Sequence, residues 1–109
     1  PLDSSNSSLE EPLYILSLLN NELMSSSWKL ISKEYKIGRS SDNNIILDDI
    51  TVSREHAKLI INNKNVIIRD SESTNGLYIN NEIKEESVLR SGDKIQIGKY
   101  LLLLTEVLK

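Results

Sequence analysis

The chain contains no cysteine and has one histidine, His56, and one alanine, Ala57, among its 109 residues. The absence of cysteine excludes disulfides, thiolate metal sites, cysteine nucleophiles and iron–sulfur clusters together. A single histidine also argues against a zinc site built from protein ligands alone. We therefore expect a domain with no cofactor and no redox or metal chemistry of its own.

Long apolar runs and an excess of positive charge are also missing. The longest apolar run, residues 101–104, has the length of one strand and is far short of the ~18 residues that a membrane span needs. A net charge of −3 provides no basic face for nucleic acid. No secretory leader is recognisable. We expect a cytoplasmic domain, free or within a larger protein, whose direct partners include neither nucleic acid nor a membrane.

The aliphatic composition favours strands over helices. The chain has 14 Ile, 17 Leu and 4 Val against its single Ala, which argues against a helical bundle. Its length suits one domain. Residues 1–12 contain both prolines and a Ser/Asn cluster without apolar periodicity, so we predict a flexible leader over 1–12 and a folded domain over 13–109.

Short apolar segments separated by polar turns predict ten strands. They are Leu13–Leu19, Ser27–Ser32, Tyr35–Gly38, Asn44–Leu47, Ala57–Ile61, Val66–Asp70, Leu77–Ile79, Ser87–Leu89, Lys94–Ile97 and Tyr100–Val107. Asn pairs at 20–21, 62–63 and 80–81, with Gly92 and Gly98, mark the expected hairpin turns. The spacing favours an antiparallel sandwich or barrel. Residues 13–23 are also compatible with a short helix, although the Asn pair favours a strand.

Three turns are richer in polar groups than a β-sandwich needs: residues 35–40, 48–57 and 71–76. Taken singly, each has an ordinary interpretation, such as a solvated Arg or a hydrogen-bonded structural His. Together they offer two guanidinium groups, Arg39 and Arg54, and the hydroxyl of Ser53, a set suited to a phosphate monoester dianion. The amide of Asn75 can both donate to and accept from a peptide main chain.

The order and spacing of these motifs resemble the forkhead-associated (FHA) domain. The motifs are GRS at 38–40, SREHA at 53–57 and STNG at 73–76, then YIN at 78–80 and SGDKIQIG at 91–98. Ser53 follows Arg39 by 14 residues, and Thr74 follows Ser53 by 21. The likeness covers about residues 13–108 and is greatest to small bacterial members.

The resemblance implies an all-β, antiparallel sandwich of about eleven strands, of the FHA/SMAD-like type, with binding loops at one end. It implies that phosphopeptide is bound by Arg39, Ser53, Arg54, Thr74 and Asn75. Auxiliary or peptide contacts are expected from Ser40, Thr51, Val52 and Asn80. Structural support is expected from Gly38, His56 and Gly76, the last at positive φ.

The resemblance also assigns individual roles. Arg39 and Ser53 would hold the phosphate, with Arg54 beside them. Thr74 would receive the phosphothreonine methyl group, and Asn75 would bind the neighbouring peptide backbone. Family members often select the residue three places after phosphothreonine through the loop before Ser53. Residues 50–52 contain no Arg, so we expect an apolar preference or none at that ligand position.

The implied partner is a phosphothreonine protein, either a Ser/Thr kinase or its substrate. Thr51, Thr74 and Thr105 are the only threonines, two of them lie in the implied site, and residues 1–12 contain none. We therefore expect the phosphothreonine to come from another chain rather than from this one.

Two other functions compete with this interpretation. Catalysis would need Ser53 and His56 as nucleophile and base, oriented by Asp48, Asp49 or Asp70, but neither a Gly-x-Ser-x-Gly elbow nor a phosphate-binding loop is present. The second alternative is a phosphorylation-independent interaction module that uses the sheet faces. Binding of unphosphorylated peptide would favour it.

Overall fold

The computed structural model describes residues 12–20, 23–62 and 65–107, which contain eleven strands. They are β1 Leu13–Asn20, β2 Leu23–Lys29, β3 Glu34–Gly38, β4 Ile45–Ile46, β5 Ala57–Asn62, β6 Asn65–Asp70, β7 Leu77–Ile79, β8 Glu82–Ile83, β9 Glu86–Leu89, β10 Lys94–Ile97 and β11 Tyr100–Val107. Nothing in these ranges forms a helix able to span a membrane. The all-β class expected from the sequence and the strand number implied by the FHA resemblance are confirmed, whereas the apolar segments alone predicted ten strands.

The strands form two sheets, in the orders β2-β1-β11-β10-β7-β8 and β4-β3-β5-β6-β9. All pairings are antiparallel except β3 with β4, which is parallel. Before β4 begins, Asn44 joins the chain to β3 on the side opposite β5: the Asn44 Oδ1 accepts the Lys36 amide at 2.7 Å, and the Asn44 amide donates to the Lys36 carbonyl at 2.9 Å.

The core lies between the inward faces of the two sheets. Along β10 the side chains alternate exposed and buried, as the sequence predicts for a strand with one face in water. The most deeply buried large side chains come from both sheets and from the loop after β4: Leu16, Ile37, Ile45, Val52, Leu59, Ile68, Leu77, Ile95, Ile97, Leu102 and Leu104.

The second predicted strand was misplaced. β2 covers Leu23–Lys29 rather than Ser27–Ser32, and it pairs with β1 through a register shift between Leu18 and Leu19. The chain leaves the sheet after Lys29 because the hydroxyl of Tyr35 accepts the amides of Ile31 and Ser32, at 2.8 and 3.0 Å. A side chain therefore takes the hydrogen bonds that a strand partner would have received.

Strand β8, Glu82–Ile83, was not predicted, because two exposed residues carry no alternation. Four of the residues expected to form hairpin turns, Asn80, Asn81, Gly92 and Gly98, have the positive φ that such turns need.

The N-terminal residues 13–20 form a strand and not a helix. Residues 1–11 of the predicted leader, and the turns containing Asn21 and Asn63, lie outside the described residues.

Strand register brings three loops to one end of the sandwich. Ile37, near the end of β3, pairs with Ala57 at the start of β5, and Ala57 pairs with Asp70 at the end of β6. Residues 39–44 follow β3, residues 47–56 precede β5, and residues 71–76 follow β6. All three segments therefore lie at the same end of this sheet. These segments are called the 39–44, 47–56 and 71–76 loops below.

Candidate functional site

Arg39 is held against the 47–56 loop by its main chain and its side chain. Its amide donates to the Ser53 carbonyl at 2.9 Å, and its Nε donates to the Val52 carbonyl at 3.0 Å. The side chain is half-buried, and within the described ranges its two Nη groups have no hydrogen-bond acceptor. The guanidinium is thus fixed at one edge while its outer edge can bind an anion in a bidentate manner.

The hydroxyl of Ser53 faces the 71–76 loop. Its Oγ accepts the amide of Thr74 at 2.9 Å, which joins residues 21 positions apart. A serine hydroxyl has one donor in addition to its acceptor positions. Because the Thr74 amide occupies an acceptor position, the hydroxyl hydrogen stays available for a ligand oxygen.

Arg54 is exposed beside Ser53, and its main chain joins the 39–44 loop. Its carbonyl accepts the Ser40 amide at 3.3 Å and the Asn43 Nδ2 at 2.7 Å. The backbone here approaches so closely that a Cβ at Gly38 would clash with the Arg54 carbonyl. A residue without a side chain is therefore required at position 38, which fits the structural role expected for Gly38.

His56 braces two of the three loops from within the protein. The ring is fully buried. Its Nδ1 accepts the Ser53 amide at 3.0 Å, and its Nε2 lies 2.8 Å from the Gly76 carbonyl. Since an amide can only donate, Nδ1 is the unprotonated nitrogen and Nε2–H is the donor. Gly76 has the expected positive φ, 92°.

Thr74 and Asn75 are both exposed at the rim of the 71–76 loop. The Asn75 Nδ2 donates to the Thr51 carbonyl at 2.9 Å, which fixes the amide plane and leaves Oδ1 and one N–H directed away from this contact. The loop itself is shaped by Asp70, whose carboxylate accepts the Ser73 hydroxyl at 2.6 Å and the Ser73 amide at 3.2 Å.

Three of the residues expected to make auxiliary or peptide contacts have side chains that pack against or bind groups of the protein itself. The Val52 side chain is buried in the core, so only its carbonyl faces the site. The Thr51 hydroxyl is taken by protein groups on both sides, donating to Asp49 and accepting the Lys99 amide. Asn80 follows the far end of β7, away from Gly76, and its amide group is used by Asp93 and Lys94. Ser40 lies in the 39–44 loop, where its Oγ accepts the Asp42 amide at 3.3 Å.

The arrangement of Ser53 and His56 does not fit a nucleophile and its base. The histidine contacts the serine amide rather than Oγ, and its second nitrogen faces a carbonyl instead of a carboxylate. The Asp49 and Asp70 carboxylates bind Thr51 and Ser73. Among the described residues there is no group of acids and histidine able to hold a metal ion.

Two residues shape the site in ways that the sequence did not indicate: Asn43 was not singled out, and Asp49 was considered only as an acid for the catalytic alternative. Asn43 is buried and its Nδ2 bridges the carbonyls of Ser40 and Arg54 at 2.9 and 2.7 Å. The pKa of Asp49 is lowered to about 2 by hydrogen bonds from the Thr51 hydroxyl and amide, aided by the Lys99 ammonium. In sequence both look like ordinary turn residues, so no local signal identifies them.

Comparison with known proteins identifies relatives of this chain in sequence and in structure. The family model described as the FHA domain matches residues 35–98. The "Oxoglutarate dehydrogenase inhibitor" of Corynebacterium jeikeium is 51% identical over 65 residues, which are 60% of this chain and 45% of that protein. The match thus spans about half the length of the curated relatives.

Solved structures superpose over most of the chain. The FHA domain of the CT664 protein from Chlamydia trachomatis has a TM-score of 0.81 and 30% identity, covering 87% of this chain and 98% of that one. A second domain was solved in an analysis of phosphothreonine-dependent FHA domain interactions. It has a TM-score of 0.79 and 28% identity, covering 85% of this chain and 95% of that one. The expected likeness to small bacterial members is confirmed, and the chain belongs to the FHA family.

Proposed function

We propose that this chain is a non-catalytic module that binds phosphothreonine on a partner protein. Arg39, Ser53 and Arg54 hold the phosphate in this proposal, while Thr74 and Asn75 receive the threonine methyl group and the adjacent peptide backbone. One observation carries the proposal: the outer edge of the Arg39 guanidinium and the free donor of Ser53 lie on loops joined by the 2.9 Å bond between Arg39 N–H and the Ser53 carbonyl.

The local charge and hydrogen bonds outweigh the overall acidity. A net charge of −3 spread over the surface is screened beyond about 8–10 Å at ordinary salt. Each charge-assisted hydrogen bond contributes roughly 1.5–3 kcal/mol. Two or three such bonds together supply roughly 3–9 kcal/mol, on the scale of the roughly 8 kcal/mol that micromolar affinity requires.

Three features of the comparisons support a regulatory role in a kinase pathway. A curated relative is named as an inhibitor, others are named as regulators, and a structural relative was studied for phosphothreonine-dependent interactions. We therefore propose a cytoplasmic adaptor without catalytic activity. Its partner would be a Ser/Thr kinase or the substrate of one, and the phosphothreonine would come from another chain.

The test is calorimetric titration of one peptide in three forms. We expect phosphothreonine to bind most tightly, phosphoserine more weakly because it lacks the methyl group, and unmodified threonine not at all. Arg39→Ala should remove binding. Arg90→Ala makes the same charge change at an exposed residue on the β9–β10 turn, and it should leave the affinity unchanged. Equal binding of all three peptides would contradict the proposal and favour a phosphorylation-independent module.

A further inference from the structure

The main chain of the 47–56 loop holds two of the ligand-facing side chains of the proposed site, Arg39 and Asn75. The Thr51 carbonyl accepts the Asn75 Nδ2 at 2.9 Å, and the next carbonyl, that of Val52, accepts the Arg39 Nε at 3.0 Å. The guanidinium and the amide are therefore positioned by two successive peptide units. A shift of this short stretch would move both groups together.

A single carboxylate sets the conformation of that stretch. The Asp49 Oδ2 accepts both the amide of Thr51, at 2.9 Å, and its hydroxyl, at 2.6 Å. The Asp49 carbonyl also accepts the Val52 amide at 3.0 Å. Such local side-chain-to-backbone bonds define an Asx-type turn, and here the turn orients the Thr51 and Val52 carbonyls.

The same turn is anchored to the opposite sheet, which contains β10 and β11, through the β10–β11 connection. The Lys99 amide donates to the Thr51 Oγ1 at 2.9 Å, and its ammonium lies 3.2 Å from the Asp49 Oδ1. Gly98 has a φ of 58°, and a Cβ placed there would lie 2.5 Å from the Thr51 Oγ1 and 2.8 Å from its carbonyl oxygen. The glycine thus permits close contact between this connection and the loop.

The negative charge of Asp49 lies in the loop that carries the proposed site. A carboxylate there repels a phosphate dianion unless hydrogen bonds or a cation compensate its charge. Asp49 is nevertheless present, with its oxygens directed to Thr51 and to Lys99. The Lys99 ion pair is largely exposed, with the lysine side chain 60% accessible, so its own contribution is small. The hydrogen bonds of Asp49 to Thr51 are the main link.

We propose that Asp49 is a positioning residue for phosphopeptide binding, which acts through Thr51 on Asn75 and Arg39 and is anchored by the Gly98–Lys99 connection. The inference rests on the proposed function. Asp49 need not touch the ligand. It fixes the Thr51 and Val52 carbonyls, and these hold the two side chains that contact the ligand in the proposed site.

Binding of a phosphothreonine peptide by the full chain, followed by calorimetry, tests this role. Asp49→Ala and Thr51→Val remove the hydrogen bonds and should weaken affinity by about tenfold and fivefold, the effect of one to two ordinary hydrogen bonds. Thr51→Ser keeps the hydroxyl and should stay within about twofold of the wild type, since only a methyl group is lost.

Asp93→Ala is the matched control. The Asp93 carboxylate accepts the Arg90 amide at 2.8 Å and the Asn80 Nδ2 at 3.0 Å, so it braces a comparable turn at the other end of the sandwich. This variant should lower the melting temperature about as much as Asp49→Ala but leave the affinity unchanged. Equal affinity losses in the two variants would show a general stability effect and overturn the proposal.

A double-mutant cycle shows whether Asp49 and Asn75 contribute to peptide affinity independently or whether Asp49 acts by positioning Asn75. If Asp49 acts through Asn75, Asp49→Ala should cost about threefold or less in an Asn75→Ala background, against about tenfold alone. Additive losses would overturn the proposal.

A second perturbation approaches the same loop from the other sheet. In Gly98→Ala the new Cβ crowds Thr51. Gly92→Ala is the control, because Gly92 also has a positive φ, 98°, but a Cβ there would have nothing within 4 Å. Both strain the backbone, but only Gly98→Ala should weaken binding. Unchanged affinity in folded Gly98→Ala would overturn the anchoring role. Failure of the wild-type chain to bind any phosphothreonine peptide would instead contradict the proposed function itself.

Discussion

The amide of Thr74 donates a 2.9 Å hydrogen bond to the Oγ of Ser53. This bond joins the two loops that carry the phosphate donor and the methyl-binding residue of the proposed site. It also decides the direction in which the serine acts, because an oxygen that already accepts from the protein has its hydrogen left for a ligand.

Replacing that hydroxyl gives the first prediction. Ser53→Ala removes one charge-assisted bond, so phosphothreonine affinity should fall about 10- to 150-fold, the equivalent of roughly 1.5–3 kcal/mol. The unfolding free energy should change by less than about 1 kcal/mol, because the exposed Thr74 amide can bond to water.

Ser91→Ala serves as the control for this variant. Its Oγ also accepts an amide, that of Glu106 at 2.9 Å, but it lies at the opposite end of the molecule. Affinity measured by calorimetry should be unchanged there. A Ser53→Ala protein that binds as tightly as the wild type would contradict the role given to this hydroxyl.

The second prediction concerns the ring of His56. Its geometry requires the neutral tautomer protonated on Nε2, since Nδ1 accepts from the Ser53 amide. Ring ¹⁵N chemical shifts at pH 7 should show this tautomer. His56→Ala should lower the unfolding free energy by about 3 kcal/mol or more, because it leaves a cavity and two backbone groups without a partner. A ring protonated on Nδ1, or a loss below about 1 kcal/mol, would refute this bracing.

The third prediction follows from the lowered pKa of Asp49. The carboxyl has a pKa of about 2 in the folded chain and about 3.9 when unfolded. Its stabilisation is therefore fully present above about pH 4 and disappears as the pH falls toward 2. The difference in denaturant midpoint between the wild type and Asp49→Ala should shrink between pH 4 and pH 2. A difference that stays constant over that range would contradict the hydrogen bonds to Thr51.

The fourth prediction concerns ligand sequence. Ile50 is 91% exposed in the loop before Ser53, so residues 50–52 offer an aliphatic surface and no Arg side chain. Peptides with an apolar residue three places after phosphothreonine should bind at least as well as peptides with Asp there. Ile50→Arg should shift the preference toward acid, as a phosphopeptide array would show. A strong acid preference in the wild type would contradict this expectation.

Sequence patterns predicted most of the fold but not the exceptions to it. Alternation and turn chemistry located strands such as Lys94–Ile97 and the positive-φ turn at Asn80 and Asn81. The displacement of β2 depends on the Tyr35 hydroxyl, and the parallel β4 depends on Asn44. Both features involve hydrogen bonds from main-chain amides to one side chain three to eight positions away. Such bonds produce no hydrophobic alternation, so the sequence pattern could not predict them.

The site divides in the same way. Spacing and resemblance predicted that the loops of Arg39, Ser53 and Thr74 belong together, and the register of β3, β5 and β6 brings them to one edge. The roles of Asn43 and Asp49 could not be predicted, because they depend on which carbonyls and amides face each side chain after folding. The sequence also did not indicate that the Val52 side chain packs into the core while its carbonyl accepts the Arg39 Nε.

The most direct measurement of the central claim is an NMR titration of ¹⁵N-labelled chain with a phosphothreonine peptide. The account predicts that the largest shifts occur at the Arg39 Nε–H and at the amides of Ser53, Arg54, Thr74 and Asn75. Shifts centred instead on the outer sheet residues Ile67 and Val88, with the Arg39 signal unmoved, would contradict it.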